Sequence, residues 1–380
     1  MFINCGLKVQ VLCKFFRICR YILCYNICAC AYTNNLNGVV FMSEDIKIII
    51  KKAALHILDT NLDIPVLSND ELEIEDDISD FLENHIIKAL KDNNLKKAEF
   101  AEEENRFKLM CSALQQNINN FLTISQDIAG LFFEFMKKNV DIFPADLLCC
   151  IFEIGGVLNL GILKMNYKQN YIHFTRQDDC GNVNTIIKQR TVLPAESQRV
   201  DECVFIDLET YGIYLIEKAY EINGEKEYYI SKYILNCSSD LSAKDKIKII
   251  NKVADKMNRK YFDQDFENIS RLKKAIAENF EENNTINIDN VVKDVFKNNP
   301  DIQKEYVEEV QKAGIAEKTI EVPQELVVKK YNKQKIKTDT GIEINFPSEY
   351  YDNTEKLEFI NNPDGTISIL IKNVTRITNR

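Results

Sequence analysis

The hydrophobic period of this chain changes twice, and those two changes limit what it can fold into. From residue 46 to about 240, apolar residues recur as short strand-like runs with helical stretches between them. Ser242, with Asp245 three residues on, then opens a capping-box-like helix start. Ile247, Ile250, Val253, Met257 and Tyr261 follow at helical spacing. Further helices are expected over about 264–282, 288–298 and 300–313, the last ending at Ala313-Gly314, and from Glu321 the composition returns to strand formers. This order predicts an α+β fold. Residues 42–240 form a mixed α/β domain around a multi-strand sheet, 241–320 a helical subdomain, and 321–380 a small C-terminal β-hairpin element.

Within the first part, Ile48, Ile50, Leu55 and Ile57 suggest an opening strand or two. The acidic stretch 70–104 carries a helical stripe at Ile78, Phe81, Leu82, His85 and Ile86. Two more helices are marked by Phe107, Met110, Leu114 and Ile118, then by Ile128, Leu131, Phe132, Phe135 and Met136. Residues 147–164 shift to strand composition and 171–176 offer a partner strand; 204–208 and 213–216 read as two more. Near the C-terminus, Pro363-Asp364-Gly365 is a tight-turn signal, and Ile367, Ile369 and Ile371 alternate behind it as one buried strand face.

The first 41 residues differ from the rest. They hold six of the twelve cysteines, four basic residues and no acid. Of 48 Lys and Arg, that leaves 44 after Met42 against all 58 Asp and Glu. A signal peptide would need a longer uninterrupted apolar run than 21–28, which Asn26 breaks. Cys24, Cys28 and Cys30 lack the paired spacing of a zinc site. The codons of Gly38-Val39-Val40 can carry a purine-rich ribosome-binding sequence just before Met42. The favoured expectation is therefore that Met42 is the start and that 1–41 stand outside the fold. The other cysteines, Cys111, Cys149, Cys150, Cys180, Cys203 and Cys237, have no CxxC spacing and read as reduced thiols of a cytoplasmic protein. No segment is apolar enough for a membrane helix.

Motifs for chemistry are sparse. Gly156 and Gly161 have phosphate-loop spacing, but Ile162-Leu163 stand where Lys-Ser/Thr must follow, so close approach within a sheet is the better reading. His56, His85 and His173 are far apart, and a nucleophilic device needs the fold to bring them to partners. Asp207 and Glu209 alternate along a strand, with Glu217 one strand later. Converging carboxylates of that kind hold Mg²⁺ for phosphodiester cleavage, although alternation alone turns them to solvent. No cofactor motif is recognised.

Two basic clusters remain. Lys244, Lys248, Lys252, Lys256 and Lys260 recur every four residues, with Arg259 beside them, as an inclined row on one helix. Lys329, Lys330, Lys333, Lys335 and Lys337 follow the apolar run Leu326-Val327-Val328, read as a strand, with no acid among them. Either cluster suits phosphates, which point charges position without reading sequence; equally, lysines decorate a solvated helix face or protect an edge strand.

Several segments resemble the bacterial nucleoid-associated protein family of the NdpA/YejK type. These are Ala53-Ala54-Leu55-His56-Ile57-Leu58-Asp59, residues 155–171, 203–208, and above all 342–346 and 364–374. The resemblance runs from about residue 46 to the end and implies a cytoplasmic, non-enzymatic protein on the nucleoid that binds double-stranded DNA. It carries over no contact residues, so the lysine clusters rest on charge alone. Two alternatives stand beside it: an adaptor recruited through another nucleoid protein, and a Mg²⁺-dependent nuclease using Asp207, Glu209 and Glu217.

Overall fold

The computed structural model describes residues 47–378, apart from 103, 179–180, 264–265, 298 and 352. Residues 1–41, Met42 and Cys180 therefore lie outside the described residues. In chain order the first part comprises β1 (Ile48–Leu58), α1 (Asp76–Leu90), β2 (Lys96–Phe100), α2 (Arg106–Gln116) and α3 (Phe121–Lys138). The strands β3 (Ala145–Ile154), β4 (Val157–Asn166), β5 (Lys168–Asp178), β6 (Gly181–Val192), β7 (Glu202–Asp207) and β8 (Ile213–Ile216) follow. The short strands β9 (Ala219–Ile222), β10 (Glu225–Tyr228) and β11 (Cys237–Ser239) close it.

Seven strands make one antiparallel sheet in the order β1-β3-β4-β7-β8-β2-β11. Both faces are covered, which is why β3 reads Leu147-Leu148-Cys149-Cys150-Ile151-Phe152 without a polar break. Leu147, Cys149 and Ile151 pack with Phe107, Phe121, Phe132 and Met136 of α2 and α3. Leu148, Cys150 and Phe152 pack with Leu82, Ile86 and Ala89 of α1 on the other side. Cys149 and Cys150 thus point to opposite faces as free thiols, and burial pushes the Cys150 thiol up to about 12. Gly155 and Gly156 turn the β3–β4 hairpin with φ of +58° and +87°. Gly161 is needed for a different reason: a Cβ there would sit 2.7 Å from the Cys150 Sγ and 3.2 Å from the Phe152 ring.

One strand assignment differs from expectation. Residues 171–176 do not join the sheet; β5 pairs only with β6, as a separate two-stranded ribbon. Both edges of β4 are already occupied, by β3 and β7, so the strand that follows it cannot pair beside β4.

The second part is helical: α4 (Ala243–Tyr261), α5 (Phe266–Asn283), α6 (Ile288–Val295), α7 (Pro300–Lys312) and α8 (Gln324–Tyr331). The two-residue pair β12 (Ile286–Asn287) and β13 (Thr319–Ile320) ties it together. The cap at Ser242 forms as read, its Oγ accepting from the Asp245 N–H at 3.1 Å and donating to the Asp245 carboxylate at 2.7 Å. Ile247, Ile250, Met257, Ile276, Tyr306 and Tyr331 are at the centre of this core. Leu326-Val327-Val328, read as a strand, lies in α8. Three adjacent apolar residues do not fix a period, and burial of Leu326, Val327 and Tyr331 against the other helices decides for a helix.

The C-terminal strands are β14 (Lys333–Lys337), β15 (Glu343–Pro347), β16 (Leu357–Asn361) and β17 (Ile367–Ile371), paired as two hairpins. The predicted turn is present: Gly365 has φ +84°, and Asp364 Oδ1 accepts from the Thr366 N–H. The predicted buried face is not. Ile367 and Ile371 are 59% and 56% exposed, and only Ile369 packs inward. The core here is Ile336, Phe346, Tyr351 and Leu357, too small to cover a whole strand face.

Candidate nucleic-acid interface

The lysines of the second cluster are all exposed, on two elements consecutive in the chain. Lys329 and Lys330 occupy the last turn of α8, where the helix dipole favours cations. The chain passes directly into β14, whose alternation exposes Lys333, Lys335 and Lys337 on one face while Gln334 and Ile336 turn inward. Both elements are anchored from below. The Tyr331 hydroxyl accepts from Asn251 at 2.9 Å, Gln334 donates to the Ser270 carbonyl at 3.1 Å, and Ser348 donates to the Tyr331 carbonyl. Among the described residues, the acid paired with the cluster is Glu343, 2.7 Å from Lys335 and 3.9 Å from Lys337.

The α4 row is exposed as its spacing predicts, but half of it is engaged. Glu305 and Glu309, one turn apart on α7, face it: Lys260 pairs with Glu305 at 2.6 Å and Lys256 with Glu309. Hydrogen bonding to Glu305 holds the Lys260 pKa above the usual lysine value. Lys244 donates to Asn94 at 3.0 Å. Lys248, Lys252 and Arg259 have no acidic partner among the described residues. Lys256 and Lys260 therefore fasten helix to helix at one end, while Lys248, Lys252 and Arg259 are left open.

The carboxylates do not converge. β7 ends at Asp207, and Glu209 lies in the turn beyond it, not on the strand face. Asp207 is buried, its Oδ1 accepting from the N–H of Glu209 at 2.7 Å and of Thr210 at 3.0 Å. Glu217 lies past the far end of the β7–β8 hairpin, where Cys203 pairs with Ile216, whereas Asp207 is at the Ile206–Ile213 end. There Glu217 accepts from the Ser231 N–H and hydroxyl and faces Lys96 at 3.5 Å. Asp207 and Glu217 are committed to local structure, and Glu209 is exposed in the turn.

The fold does bring one histidine to a serine. His56 Nε2 is 3.0 Å from Ser125 Oγ, both buried. The polarity is wrong for a nucleophile, however. His56 Nδ1 accepts from the Ser68 N–H at 3.1 Å, so the proton of the neutral ring sits on Nε2 and is donated to Ser125. Ser125 in turn donates to the Leu122 carbonyl at 2.7 Å. Activation needs the opposite arrangement, with Nε2 accepting from the hydroxyl. Burial lowers the His56 pKa, which keeps the ring neutral.

Two features went unnoticed in the sequence. One is a buried polar group at the end of the sheet: Lys164 of β4 pairs with Glu202 of β7 at 2.8 Å and donates to Asn166 at 2.6 Å, and Tyr220 donates to Glu202 at 3.0 Å. Burial pushes the Lys164 pKa down, with Glu202 opposing it. Lys164 is in cross-strand register with Glu202, but two residues 38 apart give no local signal. The other is the β5–β6 ribbon, whose cations Arg176, Lys188 and Arg190 have no acidic partner among the described residues. Its signal was the absence of any acid from 166 to 177 and from 181 to 192.

Among known proteins, the family described as nucleoid-associated protein YejK matches this chain over residues 54–378. A search of curated proteins returns no match.

Proposed function

The chain belongs to the family of nucleoid-associated protein YejK, and on that premise we propose that it is a non-enzymatic DNA-binding protein of the bacterial nucleoid. The family match carries this reading. On this reading the protein works in the cytoplasm on double-stranded DNA, with another nucleoid protein as a second candidate partner. Contact is made by charge, through Lys329, Lys330, Lys333, Lys335 and Lys337 of α8 and β14, with Lys248 and Lys252 in the middle of α4 and Arg259 in its last turn as a secondary patch. The rest of the row, Lys244, Lys256 and Lys260, contributes less because its partners must be released first. The exposed pairs to Glu343 are no obstacle, since such pairs are worth about 0–1 kcal/mol and exchange for phosphate.

Anisotropy of a labelled duplex across a salt series tests the proposal. Five phosphate contacts predict a log–log slope near −4 to −5. Changing Lys329, Lys330, Lys333, Lys335 and Lys337 to Gln flattens it if they make those contacts. A slope untouched by that variant moves the contact elsewhere. No binding of the intact protein even at low salt rejects direct DNA binding and leaves recruitment by a protein partner.

A further inference from the structure

We propose that the β5–β6 ribbon is a DNA-groove arm: the element of this protein that enters the major groove, while its own cations and the lysines of α8 and β14 hold phosphates. The inference rests on the reading that the chain binds duplex DNA, and adds where and how.

The ribbon is built unlike the sheet beside it. Among the described residues its strands pair with each other and with no other strand, and the residues from Gln169 to Gln177 and from Gly181 to Thr191 are exposed. Register sorts it into two faces. Tyr171 opposite Lys188, His173 opposite Ile186, Thr175 opposite Asn184 and Gln177 opposite Asn182 share one. Ile172 opposite Ile187, Phe174 opposite Thr185 and Arg176 opposite Val183 share the other. The first face is dominated by groups that both donate and accept hydrogen bonds, and it has no carboxylate. The second is apolar but tipped by an arginine. Between Lys168 and Val192 the sequence has two acids, the adjacent Asp178 and Asp179. The arm thus carries Lys168, Arg176, Lys188 and Arg190 against two acids, in a chain of net charge −10. A polyanion repelled by the body meets a cationic arm first.

Dimensions agree. Eleven residues of β5 extend about 36 Å at roughly 3.3 Å each, close to the ~34 Å of one turn of B-DNA. The major groove, about 12 Å wide, admits a two-stranded ribbon and is lined by base edges that amide and hydroxyl side chains address. A groove also encloses the arm on two sides, which accounts for both faces together. Ile172, Phe174 and Ile187 meet thymine methyls and sugars, while Thr175, Asn184 and Asn182 meet polar edges. A second copy of the chain stacked on the apolar face would leave the polar face and its unpaired cations without a role.

The test uses the full chain with Arg176, Lys188 and Arg190 changed together to Gln, all exposed positions that leave the core untouched. It measures duplex anisotropy against salt, dimethyl sulfate protection of guanine N7 in the major groove, and sedimentation. Three lost phosphate contacts predict a salt slope shallower by about 2–3 and binding weakened roughly tenfold or more at low salt, with sedimentation unchanged. The intact protein protects N7, and the variant loses that protection. If the variant binds with unaltered slope and affinity, or the intact protein leaves N7 unprotected while binding, the arm proposal is overturned and DNA binding stands. If the variant dissociates a dimer and loses affinity in proportion, the ribbon is a self-association element and the proposal fails. Absence of binding by the intact protein overturns the DNA reading itself.

Discussion

The hairpin β3–β4 loses both its faces to helices, whereas β5–β6, which follows it directly, keeps both in water. Their strands are of similar length, 10 and 10 residues against 11 and 12. Gly155-Gly156 turn the first, and in the second Gly181 opens β6 at φ +116°. The difference is in what lies between. β3 is an unbroken apolar run that only a doubly covered position tolerates, while β5 alternates Ile172 and Phe174 with His173 and Thr175. Continuous hydrophobicity commits a strand to the interior; alternation asks for one cover and does not ensure that it exists. The first hairpin should therefore carry the stability of this domain and the second should be free to serve an external partner.

Four measurements would break or sharpen that contrast. The largest effect is expected at the buried charge of β4. Lys164→Met strips Glu202 of its counter-ion in a dry site, and unfolding by denaturant should lose about 3–5 kcal/mol. A loss below about 1 kcal/mol would mean that the sheet end admits water and that β4 is less interior than its sequence says. Next comes Gly161→Ala, which overpacks Cys150 and Phe152 and should cost about 1–3 kcal/mol. Adding Cys150→Ala removes the nearest atom, so the double variant should recover part of that loss; strict additivity would place the strain elsewhere.

A shallower effect follows from pH. His56, beside β3 on β1, is held neutral by burial, with a pKa below its ordinary value, so the unfolded chain protonates first as pH falls below about 6.5. Stability is full above that point and is lost toward acid, and His85, lowered chiefly by burial, acts in the same direction. Asp146 on β3 opposes them. Burial raises its carboxyl to about 6, so the folded state keeps a proton that the unfolded chain has lost. That costs stability as pH rises from about 4 to about 6. Denaturant midpoints at pH 7.5 and 5.5 should fall toward acid, less so in His56→Asn and more so in Asp146→Asn. Identical profiles for all three would show that neither group carries the dependence.

The smallest effect is expected on the ribbon. Ile172→Ser with Ile187→Ser should change global stability by no more than about 0.5 kcal/mol, because both side chains are exposed, face each other across the ribbon and belong to no core cluster among the described residues. A loss of several kcal/mol in equilibrium unfolding would end the comparison, since the ribbon would then be part of a core.

Much of the architecture was legible in residue order. The Ser242 cap, the α1 and α3 stripes, the β3 run and the Asp364-Gly365 turn are local devices, readable within a few residues. The lysine clusters were legible as charge. Their accessibility was not: Glu305 and Glu309, which engage Lys260 and Lys256, stand some fifty residues away on α7. Nor did sequence reveal that Asp207 and Glu217 sit at opposite hairpin ends, or that Ser68, through its N–H, fixes the His56 tautomer.

The sequence by itself determined which residues share a strand or helix face, where caps and turns fall, and the α+β class. Only tertiary structure decided which faces are covered. Ile369 is packed while Ile367 and Ile371, in the same row, are bare, and Leu326-Val327-Val328 became a helix because a helical core received it. The ribbon could not pair beside β4 because β3 and β7 had filled both of its edges. Periodicity is a property of consecutive residues, set by backbone geometry. Coverage depends on elements distant in sequence, and on how many edges and faces they leave open.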